Sequence, residues 1–127
     1  MNSIFQPATR NTPQINFDYD EGVIEMTGRS IIEMPDIYYK PLLEWVQKYA
    51  ENPPAKTTAI FNIEYLNSGS HTALQDILIM LNEINKKGHE VKVKWYYEEV
   101  DEYIKEIGFE FEASLSLPIE LIEIKEE

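Results

Sequence analysis

The run Thr57-Thr58-Ala59-Ile60-Phe61-Asn62-Ile63-Glu64-Tyr65 is dense in β-branched and aromatic residues, as a strand buried on at least one face would be. After a short polar segment, Ala73 to Lys87 carries Leu74, Ile77, Leu78, Leu81 and Ile84 on one helical stripe. Lys86-Lys87-Gly88 closes that helix with cations in its last turn and glycine at the cap. His89 to Tyr97 then alternates Val91, Val93 and Trp95 against Lys92 and Lys94, a second strand. A strand, a helix and a strand in this order imply a right-handed crossover between parallel strands. This unit constrains where every other segment can go.

Upstream, Pro13 to Gly28 reads as a hairpin. Gln14 to Asp18 and Val23 to Thr27 alternate polar and apolar residues, and Asp20-Glu21-Gly22 supplies the turn. A short strand near Ile4 to Gln6 precedes it. The spacing of Leu42, Trp45, Val46 and Tyr49 predicts a helix from Tyr38 or Lys40 to Ala50, with Pro41 in its first turn and Asn52-Pro53-Pro54 as its stop. Downstream, Glu98 to Ile107 reads as a short acidic helix with Val100, Tyr103, Ile104 and Ile107 inward, ended by Gly108. Phe109 to Leu117 reads as a connection, and Pro118 leads into a last strand, Ile119 to Ile124. The expected fold is α/β: a single domain over residues 1–127, with about three helices on a mixed, mostly parallel sheet that opens with an antiparallel hairpin.

Composition narrows the function. The chain has no cysteine, which excludes disulfides, thiol catalysis and thiolate metal sites. No apolar run approaches the ~18 residues a spanning helix needs, and no signal peptide is visible, so a cytoplasmic protein is expected. A net charge of −12 repels nucleic acid and anionic membranes, and it attracts basic surfaces. Phosphate loops of the Walker or dinucleotide type are absent, so no cofactor is expected. The carboxylates of Asp18, Asp20 and Glu21 miss the calcium-loop spacing and read as a charged turn, and two histidines, His71 and His89, do not make a metal site.

The functional signal lies in Leu66-Asn67-Ser68-Gly69-Ser70-His71-Thr72, between the first parallel strand and its helix. Small hydroxyl residues here face orphan backbone N–H groups and the positive end of the helix dipole. One reading is capping by Ser68 or Ser70, or by Thr72 with Gln75 as a T-x-x-Q box. The other is a phosphorylation site on an exposed serine, with Gly69 leaving the backbone open to a kinase. His71 and Asp76 beside the serines invite a hydrolase triad, but sequence adjacency supplies neither an oriented base nor an oxyanion hole, and there is no G-x-S-x-G elbow. In open α/β sheets functional residues gather beyond the carboxyl ends of parallel strands, which would bring Tyr65, Asn67, Ser68 and Tyr97 together.

Tyr65-Leu66-Asn67-Ser68-Gly69-Ser70, the helix to Lys87-Gly88, Val93-Lys94-Trp95-Tyr96-Tyr97, Leu43-Glu44-Trp45 and the opening hairpin resemble the SiaC-type regulatory phosphoproteins. That family is similar to the anti-sigma-factor antagonists of the STAS fold. The resemblance implies a non-catalytic, partner-switching bacterial protein. A histidine-kinase-like kinase would phosphorylate the residue after the asparagine, here Ser68, and a PP2C-type phosphatase would restore it. The unmodified form would bind an effector such as a diguanylate cyclase. Serine stands where the family has threonine, and Gly69 where it has serine, so Ser70 is the alternative acceptor. Tyr65, Asn67, Gly69, His71 and Tyr97 are the implied partner contacts. The competing readings are a constitutive scaffold and a small serine hydrolase.

Overall fold

The computed structural model describes residues 1–125. The elements are β1 (Ile4–Gln6), β2 (Gln14–Asp18), β3 (Val23–Ser30), α1 (Pro35–Glu51), β4 (Lys56–Leu66), α2 (Ser68–Lys86), β5 (Glu90–Glu98), α3 (Glu102–Ser114) and β6 (Ile119–Ile124). They form a six-stranded sheet in the order β1-β2-β3-β4-β5-β6. The first two pairings are antiparallel and the remaining three parallel. Each crossover steps to the next strand in the same direction, so right-handed connections place all three helices on one face.

Period-two alternation decides what that face buries. Ile15, Phe17, Ile24, Met26, Ala59, Phe61, Val91, Val93 and Trp95 all point into it and are at most 1% exposed. The opposite face stays open. Its central row, in register, is Asn16, Glu25, Ile60, Lys94 and Glu120. α1 lays Trp45 over Phe17 and stacks it on Tyr49, with ring centroids 5.2 and 5.1 Å apart. Trp95 sits between Phe61 and Phe111 and donates its indole N–H to the Ile104 carbonyl at 3.0 Å, tying β5 to α3. Among the described residues no helix is long and apolar enough to cross a membrane.

Boundaries of all three helices differ from the sequence reading. α3 starts at Glu102 and not Glu98, because β5 runs on to Glu98. Val100 and Tyr103 are exposed and not inward. α1 begins at Pro35, whose fixed φ suits a first turn. Pro41 therefore lies inside the helix, on its exposed side, where water can satisfy the carbonyl left free. α2 begins at Ser68, five residues before Ala73, because Asn67 supplies the cap. Thr72 is not a cap; it lies inside the helix and donates its hydroxyl to the Ser68 carbonyl at 3.3 Å. α3 runs through Gly108 to Ser114, so Phe109 and Phe111 are helical and not in a connection. Gly108 is there for closeness: a Cβ on it would stand 2.5 Å from Trp95 Cδ1.

Candidate functional site

The site begins with an irregularity in β4. The β3–β4 register shifts between Gly28 and Arg29, so that Ile63 faces Gly28 while Tyr65 faces Arg29. A bulge of this kind re-aims the side chains beyond it. Glu64 and Tyr65 both point outward, and Leu66 returns to the core at 2% exposure. Asn67 follows in extended conformation (φ −83°, ψ 171°) as the N-cap of α2.

Asn67 makes four hydrogen bonds at this junction. Its Oδ1 accepts from the Ser70 backbone N–H at 3.1 Å, and its Nδ2 donates to the Ile32 carbonyl at 2.9 Å. Its backbone N–H donates to the Ser30 carbonyl at 3.1 Å, and its carbonyl accepts from the His71 N–H at 2.9 Å. The side chain thus caps α2 and also holds the β3–α1 loop. Asn67→Ala is expected to cost about 1–2 kcal/mol, an N-cap loss plus a lost link to Ile32. Asn67→Asp should recover part of it, since a carboxylate keeps the cap but cannot donate to Ile32. Thermal denaturation of the two variants checks the order.

The two candidate serines occupy opposite environments. Ser68 is the first residue of α2 and is exposed, and its hydroxyl has no hydrogen-bond partner among the described residues. Ser70 is 0% exposed, and its hydroxyl accepts from Ser30 Oγ at 2.7 Å. Ser30 Oγ is in turn 2.5 Å from the Tyr39 hydroxyl. Neither serine acts as the cap that the sequence allowed. Gly69, between them, packs against α1: a Cβ there would lie 2.4 Å from Pro35 Cγ.

The segments that flank this junction expose apolar side chains. Tyr65 is 53% exposed, and Met34 and Ile37, from the start of α1, are 63% and 66% exposed. A groove of about 190 Å³ opens beside Gly69, with Pro35, Tyr39, Leu43, Ala73 and Asp76 in its wall. His71 is half-buried and turns toward α3, its ring 5.6 Å from that of Phe111. Asp76 lines the groove on the α1 side, and among the described residues no carboxylate bonds to the imidazole as a triad requires. Tyr65, Asn67, Gly69 and His71 flank Ser68 along the chain, with His71 turned toward α3. Tyr97 is half-buried beneath Lys105 (5.9 Å to the ring centroid) and lines a cleft with Glu64 and Asp101. Ser30, Ile32, Pro35 and Tyr39 complete the junction and were not recognisable in sequence, because nothing in an isolated strand end or helix face reports such pairing.

Burial dominates the ionisation of the tyrosines here. It pushes the Tyr39 and Tyr49 phenols above the ordinary value of 10.0, and the Tyr38 phenol up to about 12. A phenol that holds its proton more tightly when folded contributes fully below its unfolded pKa and loses that contribution as pH rises through the folded one. The contribution of these phenols to stability should therefore be constant below pH about 10 and fall between about 10 and 12. Tyr38→Phe should flatten the fall in an alkaline urea titration.

Comparison with known proteins finds relatives over nearly the whole chain. The profile of the SiaC family regulatory phosphoprotein matches residues 6–124. An uncharacterised protein of Pseudomonas aeruginosa is 29% identical over 118 residues, covering 93% of this chain and 94% of its own. The structure of SiaC of Pseudomonas aeruginosa superimposes with a TM-score of 0.89 at 27% identity, covering 98% of this chain and all of that one. SiaC in the crystal structure of the diguanylate cyclase SiaD with its activator superimposes with a TM-score of 0.87, also at 27% identity, over 95% of this chain and 99% of the other.

Proposed function

The chain belongs to the SiaC family of regulatory phosphoproteins, and on that basis we propose that it is a non-catalytic partner switch set by phosphorylation of Ser68. Unmodified, it binds an effector of the diguanylate cyclase type, as the related activator does in its complex with SiaD. A cognate histidine-kinase-like kinase adds the phosphate and a PP2C-type phosphatase removes it. ATP and magnesium belong to the kinase, and the exchange takes place in the cytoplasm.

The observation that supports this reading is the contrast at the junction. Ser68 presents a free hydroxyl to solvent, while the Ser70 hydroxyl is sealed and already bonded. A phosphate on Ser68 would add roughly −1.5 to −2 charges at the N-terminal turn of a 19-residue helix, where orphan N–H groups and the dipole favour an anion. The domain would keep its fold. A partner lying flat on Tyr65, Met34 and Ile37 would instead meet a dianion it must desolvate. Charge that the fold tolerates and the interface does not makes a switch.

Phosphosite mapping tests it. Incubation with the cognate kinase and ATP should place a single phosphate on Ser68, which the phosphatase then removes. A phosphate on Ser70, or none, overturns the assignment.

A further inference from the structure

Resting on the assignment of Ser68 as acceptor, we infer that the buried hydroxyl cluster of Ser30, Tyr39 and Ser70 positions that acceptor for phosphoryl transfer. The three side chains come from the end of β3, the second turn of α1 and the first turn of α2. Each is at most 1% exposed. Ser30 donates to Ser70 at 2.7 Å, which leaves Ser30 Oγ to accept from the Tyr39 hydroxyl. Hydroxyls this deep in an apolar core cost free energy unless paired, and all three are paired with one another. Apolar residues of similar size would fill the space without that requirement.

What the cluster fixes is the turn that carries Ser68. The Ser70 backbone N–H is held by Asn67 and its side chain by Ser30, so both ends of the Ser68–Gly69 segment are anchored. Gly69 lies against the Pro35 ring, which closes the third side. Ser68 is thus held on a rigid pedestal, its own hydroxyl the one side-chain oxygen of the Ser68–Ser70 turn left without a partner among the described residues. In the transfer Ser68 Oγ bonds to the γ-phosphorus of ATP, the bond to the ADP oxygen breaks, and the hydroxyl proton passes to a kinase base. Catalysis of such a step rests on positioning, so a wandering acceptor is a slow one.

The fold supplies its own control. Tyr49 and Thr57 form another buried hydroxyl pair at 2.7 Å, at the opposite end of β4 from Ser68. Tyr39→Phe and Tyr49→Phe each delete one buried phenol oxygen and nothing else. With the cognate kinase, Tyr39→Phe should lower kcat about tenfold with KM little changed, while Tyr49→Phe stays within twofold of wild type. Ser70→Ala should match Tyr39→Phe, and the double variant should be no slower than either single, because the cluster acts as a unit. Equal rates for the two tyrosine variants, or a Ser70→Ala variant phosphorylated at the wild-type rate, would overturn the inference even with Ser68 modified in wild type. No phosphate on wild-type Ser68 would instead bring down the acceptor assignment, and this inference with it. Should Tyr39→Phe fail to fold, Ser70→Ala alone carries the comparison.

Discussion

Ser68→Asp is expected to bind the effector at least about a hundredfold more weakly than wild type, a loss of about 2.7 kcal/mol. The side chain stands exposed at the first position of α2, three residues after the exposed Tyr65 and next to Gly69, which packs on Pro35. A carboxylate there gains up to about 1 kcal/mol in the free protein from the helix dipole. On docking it loses water and faces an apolar contact, and that desolvation outweighs any gain. Because the charge favours the helix, the melting temperature should not fall. Ser68→Ala should bind as wild type does and ignore the kinase. Titration calorimetry with purified effector, beside thermal melts, checks both halves. A weak binder that had also lost its fold would contradict the argument, since the loss would then be structural.

Gly108→Ala is expected to destabilise the domain by about 2–3 kcal/mol and to lower the melting temperature by about 10 °C. Helix propensity alone predicts the reverse, a gain of about 1 kcal/mol for alanine inside a helix. Packing decides the sign. A Cβ at Gly108 would stand 2.5 Å from Trp95 Cδ1, and 2.7 Å from both Trp95 Nε1 and Leu121 Cδ2. Trp95 cannot yield, because Phe61 and Phe111 flank it and its N–H is bound to the Ile104 carbonyl. Moving α3 away forfeits that bond and opens the Phe111 contact. A melting temperature at or above wild type would show that the helix shifts freely.

Gly108 also marks the limit of what can be read from sequence. As a glycine after an acidic periodic run it resembles a helix end, and only the tryptophan across from it explains its place inside α3. Strands were legible because alternation such as Val91, Val93, Trp95 reports burial directly. The sheet order followed from the strand-helix-strand sequence and the handedness of crossovers. Helix starts were less legible. The stripe of α2 begins at Leu74, whereas its first turn is set by Asn67, which caps the Ser70 N–H three residues on and also reaches Ile32 in a loop 35 residues away in sequence. Ser68 was visible as a hydroxyl at a strand-to-helix junction. The difference between Ser68 and Ser70 was not, because it depends on Ser30 and Tyr39 arriving from other elements. Tyr97 was grouped with Ser68 from sheet topology alone; in the structure it lies under Lys105 and shares a cleft with Glu64.

The central claim is that one phosphate on Ser68 separates this protein from its effector without unfolding it. The most direct measurement is calorimetric titration of the effector with stoichiometrically phosphorylated protein, its phosphate mapped by mass spectrometry, and with the same sample after phosphatase treatment. The predicted result is tight binding by the dephosphorylated sample and at least about a hundredfold weaker binding by the phosphorylated one, with equal melting temperatures. Equal affinities before and after phosphatase treatment would contradict it.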